Sequence, residues 1–475
     1  MWLATAPYGP SLRIAPFAAT HPPNSRQRLL MGKNLFSVKA SEVLLEQFEL
    51  ILDHDKLIDE VGFLHPSQLA ELNGHLSVSL PLAANALQTF DEVLKNGTSN
   101  IENLQYDEAV FWYGNHKLAI SVQAVPLLYN AARVAYMEAK RNYKMPIKMT
   151  NDIDLLNMEP GGANCQNFSE RDLQKHSRAL LILSPDFGSI WNSRKMVLSR
   201  QHDLPSFLHE LNFSALILSN SPKSEQAWSH RRWVIKKIAE KFDDLYVVIG
   251  KESELVKIIA EKSKMNYRAW NHRCWLTDYM SEGQVLEELD KSRKWAELHV
   301  ADSCCFHYRR RLILKLLEKC SKKDCAEGSH VYGCSSLALL EEELKWNVVL
   351  IHRYIGREAL WVHRRFLSCY WMKYLTNQHA LACPSELHPE VFPAFDRFLE
   401  EEVELLHTCL HIPADGFEET EAQSHHAATY MLWISKQILL PEFRMEEKLH
   451  ELGGLKAILM KKCSEMSQIW ERLLE

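Results

Sequence analysis

From Ser41 onward, apolar residues recur at helical spacing. Ser41–Asp55 places Val43, Leu44, Phe48, Ile51 and Leu52 on one face behind a capping candidate, Ser41, which predicts a helix. His116–Lys140 is a longer run of the same period, with Pro126 as a predicted kink. Leu211–Leu218 is apolar and ends at Ser219-Asn220-Ser221-Pro222, which stops one helix, and a second is predicted from about Glu225. Strand-type alternation is nearly absent. Tyr246–Ile249 is the best strand candidate and is too short to found a sheet.

Five segments repeat when aligned on one aromatic residue. They are Pro185-DFGSI-Trp191-NS-Arg194, Pro222-KSEQA-Trp228-SH-Arg231, Asn266-YRA-Trp270-NH-Arg273, Asp302-SCC-Phe306-HY-Arg309 and Arg357-EAL-Trp361-VH-Arg364. The anchors are spaced by 37, 42, 36 and 55 residues, and Arg follows each at i+3. In the last four a His lies between anchor and Arg, at 230, 272, 307 and 363.

Each unit reads as a helical hairpin. On its second helix Trp228, Arg231, Arg232 and Ile235 share one face. Such a face is buried only by the next hairpin, so the units stack. The expected fold class is therefore all-α: an α-α superhelix, a solenoid of antiparallel helical hairpins. Residues 1–40 are expected to be a disordered extension, 41–168 a divergent N-terminal helical region, 169–375 the five repeats and 376–475 a C-terminal helical region. The widest spacing leaves room for a surface-loop insertion at about 321–336.

Composition narrows the function. With 17 glycines and 18 prolines in 475 residues, turn-formers are scarce, which favours long helices. The 55 basic and 61 acidic residues give a net charge of −6, which argues against a nucleic-acid partner. No apolar run suffices for a transmembrane segment. Residues 1–40 carry five prolines, five basic residues and no acid, and Met31 is an alternative start. Eleven cysteines in no even framework, with no CxxC, read as reduced thiols in a cytoplasmic protein. Cys304-Cys305 and Cys320/Cys325/Cys334 lack zinc-site spacing, and histidines placed once per hairpin are too far apart to share an ion, so no metal is expected in this chain.

Pro-Lys-x4-Trp-x-His-Arg-Arg-Trp at 222–233 and Asn-Tyr-x2-Trp-x-His-Arg at 266–273 resemble the repeats of the protein prenyltransferase alpha-subunit family. Lys-Trp-Ala-Glu-Leu-His-Val-Ala-Asp at 294–302, with Phe306-His-Tyr-Arg, is similar to its alpha-subunit repeat-containing branch. The resemblance covers 169–375. It implies an alpha-like subunit that is inactive alone and pairs with a protein prenyltransferase beta subunit of the Rab-geranylgeranyltransferase type. That partner would hold zinc and the lipid pocket. The substrates implied are a prenyl diphosphate, geranylgeranyl in this branch, and a protein with a C-terminal cysteine. The chain's own end, Arg-Leu-Leu-Glu, is no prenylation motif.

The resemblance also assigns residues. Trp191, Trp228, Trp270, Phe306 and Trp361, with Arg194, Arg231, Arg273, Arg309 and Arg364, are expected to be structural repeat anchors. The histidines are expected to be satisfied packing or partner-contact residues. Lys223 matches the family lysine that reaches the diphosphate, and Tyr267 matches a family tyrosine whose hydroxyl can donate to it. Arg268 is a further basic candidate. Glu225 departs from the family pattern, standing where a tyrosine is expected. The alternative reading is a non-catalytic helical-repeat scaffold for protein–protein interaction.

Overall fold

The computed structural model describes residues 25–75, 110–149, 161–243, 245–327, 331–381, 391–412 and 418–437, together with 454, 457 and 460. The chain divides into two compact units, Met1–Val197 and Leu198–Glu475.

The first unit contains α1 (Ser25–His54), β1 (Glu60–Leu64), α2 (Pro66–His75), β2 (Phe111–Gly114), β3 (Lys117–Ser121), α3 (Val125–Met149), α4 (Gly161–Leu183) and α5 (Gly188–Leu198). Its three-stranded sheet has the order β1-β3-β2. β1 runs parallel to β3, pairing Glu60 with Lys117, and β2 runs antiparallel to it, pairing Phe111 with Ile120. Asn115 and His116, with φ of 51° and 60°, form the turn between β2 and β3. Two consecutive left-handed residues match the right-handed twist of a tight hairpin. Asp55 ties the turn down, accepting from Tyr113 Oη at 2.6 Å and His116 Nδ1 at 2.7 Å. Phe48 of α1 is fully buried and stacks on Phe111 at 5.8 Å, joining helix to sheet.

This sheet corrects the purely helical reading of 41–168. The run His116–Lys140 is in fact a strand followed by a helix. Pro126 stands at the start of α3, where its missing N–H costs nothing, and makes no kink. Helix α1 begins at Ser25, so residues 25–40 are helical and Ser41 is an interior residue, not a cap. Residues 1–24 lie outside the described residues.

The second unit contains α6 (Leu204–Asn220), α7 (Glu225–Lys241), α8 (Leu245–Lys262), α9 (Tyr267–Leu276), α10 (Glu282–Leu298), α11 (Ser303–Glu327), α12 (Val331–Arg353), α13 (Glu358–Leu381), α14 (Val391–Leu410) and α15 (Glu418–Gln437). They pair as successive hairpins, and the second helices α7, α9, α11, α13 and α15 pack one on the next. The result is the expected all-α helical-repeat solenoid. Caps set the starts: Asp203 accepts from Ser206 N, Ser224 from Ala227 N and Asn266 from Ala269 N, while Ser281 and Gln284 form a capping box.

Two expectations fail here. Tyr246–Ile249 lies within α8, because Val248 and Ile249 are continued by Val256, Ile259 and Ala260 on one buried helical face. The expected loop insertion at 321–336 is mostly helix: α11 extends to Glu327 and α12 begins at Val331. Its Lys, Glu and Ala residues are good helix formers.

Candidate functional site

The repeat aromatics are structural. Trp191, Trp228, Trp270, Phe306 and Trp361 are all buried, none more than 3% exposed. In the second unit each stacks on the residue two places beyond the next anchor. Trp228 lies 4.9 Å from His272, Trp270 5.9 Å from Tyr308, Phe306 5.2 Å from His363, and Trp361 5.7 Å from Tyr430.

Each anchor arginine of that unit bridges two hairpins. Arg231 binds Glu252 at 2.5 Å, Arg273 binds Glu288 at 2.8 Å, Arg309 binds Glu343 at 2.6 Å and Arg364 binds Glu402 at 2.7 Å. Each acid stands on the first helix of the following hairpin. The same arginines reach back to their own first helix, as Arg309 does to Ser292 Oγ at 2.9 Å. In the first unit Arg194 makes the backward contacts, to Gln174 O and Ser177 Oγ.

Three of these acids, and Glu210 on the first helix of the unit's first hairpin, also accept from a donor twenty residues on. His230 Nε2 pairs with Glu210 at 2.8 Å, His272 with Glu252 at 3.1 Å and His363 with Glu343 at 3.0 Å. In the fourth repeat Tyr308 takes this place, donating to Glu288 at 2.7 Å. Burial pushes Glu252 and Glu343 up, but Arg231 with His272, and Arg309 with His363, hold them down to about 2. Burial lowers His272 and His363, which stay neutral and donate from Nε2.

His307 is not one of the packing histidines. It sits one residue out of register with the other three, and its side chain is exposed.

The helix starts that bear Lys223 and Tyr267 come together at one edge. The carbonyl of Pro222 accepts from Trp228 Nε1 at 2.9 Å and from Asn266 Nδ2 at 2.8 Å. Lys223 follows Pro222 and Tyr267 follows Asn266, so this shared carbonyl joins the two helix starts that bear them. Lys223 is exposed and has no ion pair among the described residues. Tyr267 is 66% exposed. Glu225 lies between two cations, bonding Arg232 at 2.8 Å and Arg268 at 2.6 Å. Its charge is therefore offset locally, and Arg268 is already engaged.

From this edge a cleft of about 400 Å³ runs along the starts of α9, α11 and α13. Tyr267, Trp270, Ser303, Cys304, His307 and Arg310 contribute to its walls. Burial and Asp302 push the Cys304 thiol up to about 12, so it is no nucleophile at neutral pH. Among the described residues no cluster of three His, Cys, Asp or Glu side chains is arranged to hold a metal ion. No helix among them is long and apolar enough to cross a membrane.

The protein prenyltransferase alpha subunit repeat matches residues 207–238, 249–280 and 285–316. The chain is 30% identical over 245 residues to protein prenyltransferase alpha subunit repeat-containing protein 1-B of Xenopus laevis, covering 43% of this chain and 56% of that protein. The human protein prenyltransferase alpha subunit repeat-containing protein 1 is 29% identical over 248 residues, 44% of this chain and 60% of its own length. A shorter stretch of 80 residues is 35% identical to geranylgeranyl transferase type-2 subunit alpha of Candida albicans, 15% of this chain and 21% of that subunit. The chain thus spans little more than half the length of the repeat-containing relatives it matches.

Proposed function

We propose that this chain, which carries protein prenyltransferase alpha subunit repeats, serves as the alpha-like subunit of a cytoplasmic protein prenyltransferase. The observation that carries this reading is that the Pro222 carbonyl joins the two helix starts bearing Lys223 and Tyr267, both exposed; the resemblance expects diphosphate contacts at these two residues. The partner would be a beta subunit of the Rab-geranylgeranyltransferase type, and the lipid donor geranylgeranyl diphosphate.

In the reaction a cysteine thiolate of the protein substrate attacks C1 of the prenyl chain. The C–S bond forms as the C–O bond breaks, and the electron pair leaves on diphosphate. Zinc in the partner would keep the attacking thiol deprotonated. This chain's part is electrostatic. The Lys223 ammonium and the Tyr267 hydroxyl face negative charge that grows on the diphosphate as the bond breaks, so they stabilise the transition state more than the bound substrate.

Glu225 favours a second reading, a scaffold without transfer activity, since it engages Arg268 beside the same edge. Co-expression with the beta subunit, followed by purification and a prenyl-transfer assay, separates the two. A stable complex that transfers geranylgeranyl supports the enzyme reading. A stable complex with no transfer to any C-terminal cysteine, or no complex at all, refutes the enzyme reading and leaves the scaffold, which needs no enzyme partner.

A further inference from the structure

We propose that the cleft along α9, α11 and α13 receives an acidic side chain of the partner protein, with Arg310 as its counter-ion. The proposal rests on the reading above for the partner's identity, but its chemistry comes from the repeats themselves.

Three arginines follow one another on α11. Arg309 binds Glu343 at 2.6 Å, and Arg311 binds Asp278 at 3.2 Å. Arg310, between them, has no carboxylate partner among the described residues. Its one hydrogen bond runs from Nε to the Phe306 carbonyl of its own helix, at 3.2 Å. It is nevertheless half-buried, and that burial disfavours its charged form. A partly desolvated guanidinium without a counter-ion is an unfavourable arrangement that an incoming anion relieves.

Two other hairpins show what is missing. In the second and fifth repeats the cation four residues after the anchor is faced by an acid three residues before the anchor. Glu225 binds Arg232 at 2.8 Å, and the field of Glu358 supports the charge on Arg365. In the fourth repeat the acid's place is taken by Ser303, and the cation is Arg310. The substitution removes the internal partner at the point where the cleft opens.

The rest of the lining fits a carboxylate on a short apolar stem. Trp270, Ala359 and Val362 offer apolar wall, while Ser303 and Asn271 offer donors. His307 is a second cation when protonated, although burial and the neighbouring Arg310 and Arg311 lower its pKa. Glu358 is the acid on the rim, and its field falls on Arg365 and His426. The cleft therefore keeps a positive pole on the α11 side.

The test begins with calorimetric titration of the full chain against the beta subunit. Arg310→Ala should weaken binding about ten- to hundredfold, with Arg310→Lys intermediate. Arg311→Ala, which removes an exposed and already paired cation, should change it less than about fivefold. Equal affinities for wild type and Arg310→Ala, with unchanged melting temperatures, overturn the proposal. If the wild-type chain does not bind the beta subunit, the proposed function fails, and the cleft is judged by hexaglutamate and inorganic diphosphate titrated onto the free chain. Arg310-dependent binding of hexaglutamate sustains the carboxylate site. No dependence on Arg310, or tighter Arg310-dependent binding of diphosphate, overturns it.

Discussion

Replacing Glu343 tests whether the buried charge ladder holds the repeats together. Both oxygens of Glu343 are used: Arg309 donates from Nε at 2.8 Å and from Nη2 at 2.6 Å, and His363 donates at 3.0 Å. Arg309 is fully buried and Glu343 only 3% exposed, so Glu343→Ala leaves a guanidinium without its counter-ion and without water. Breaking one side of such a pair costs about 3–5 kcal/mol. For a unit of this size that lowers the melting temperature by about 6–20 °C. Glu343→Gln keeps the shape and should fall between wild type and Ala. The pH dependence has a definite sign. The Glu343 carboxyl drops from its ordinary 4.5 to about 2 on folding, so its contribution is full above about 4.5 and is lost as pH falls toward 2. The shift corresponds to about 3 kcal/mol. Calorimetric melts from pH 7 to pH 2.5 should show a shallower acid limb in Glu343→Gln. A variant melting within about 2 °C of wild type at pH 7 refutes the view that the pair is held by burial.

Lys223→Ala in the assembled heterodimer should lower turnover by about five- to thirtyfold, roughly 1–2 kcal/mol, with partner affinity unchanged; unaltered single-turnover kinetics would reduce Lys223 to a solvated charge. Trp228→Ala should act the other way, destabilising the second unit by about 3–5 kcal/mol in denaturant melts before any effect on chemistry is seen. Gly356 has φ +73° and a Cβ there would stand 2.7 Å from the Glu419 carbonyl, so Gly356→Ala should cost more than about 1 kcal/mol; a neutral melt would contradict the packing of α15. Tyr308→Phe removes a hydrogen bond to a buried carboxylate and should cost about 1.5–3 kcal/mol, whereas Tyr308→His should recover part of it by restoring the donor of the other repeats.

The hairpins were legible because their signature is local: anchor and arginine lie one turn apart, and breaks such as Ser219-Asn220-Ser221-Pro222 mark where a second helix starts. The acids that complete the ladder were not, since Arg364 and Glu402 are separated by a whole helix and a connection. A signal existed in retrospect, a Glu twenty residues before His230, His272, Tyr308 and His363, but Glu287 stands at the same distance before His307, so the sequence alone does not choose between His307 and Tyr308. The small sheet escaped because β1 and β3 are five-residue strands that pair across more than fifty residues. Lys223 and Tyr267 were named from the resemblance, but the Pro222 carbonyl that joins their helix starts is visible only in three dimensions. Arg310 was invisible for a different reason. Its significance lies in the acid it lacks.

The ladder also has a direction. Every hairpin of the second unit through α13 sends a cation forward, and each after the first receives one from behind, so cutting the array between two hairpins strands an arginine on one side and an acid on the other. The pair α14 and α15 receives without sending. It supplies Glu402 and Tyr430, yet Ala428 and Met431 stand where earlier repeats carry the aromatic and the arginine. Both are fully buried and neither offers a charge to a further neighbour. Among the described residues the ladder of charges thus stops at this pair, a last word that answers the one before it and asks for no reply. Lengthening such a chain would mean inserting whole hairpins upstream of this terminator, where each newcomer both accepts and donates.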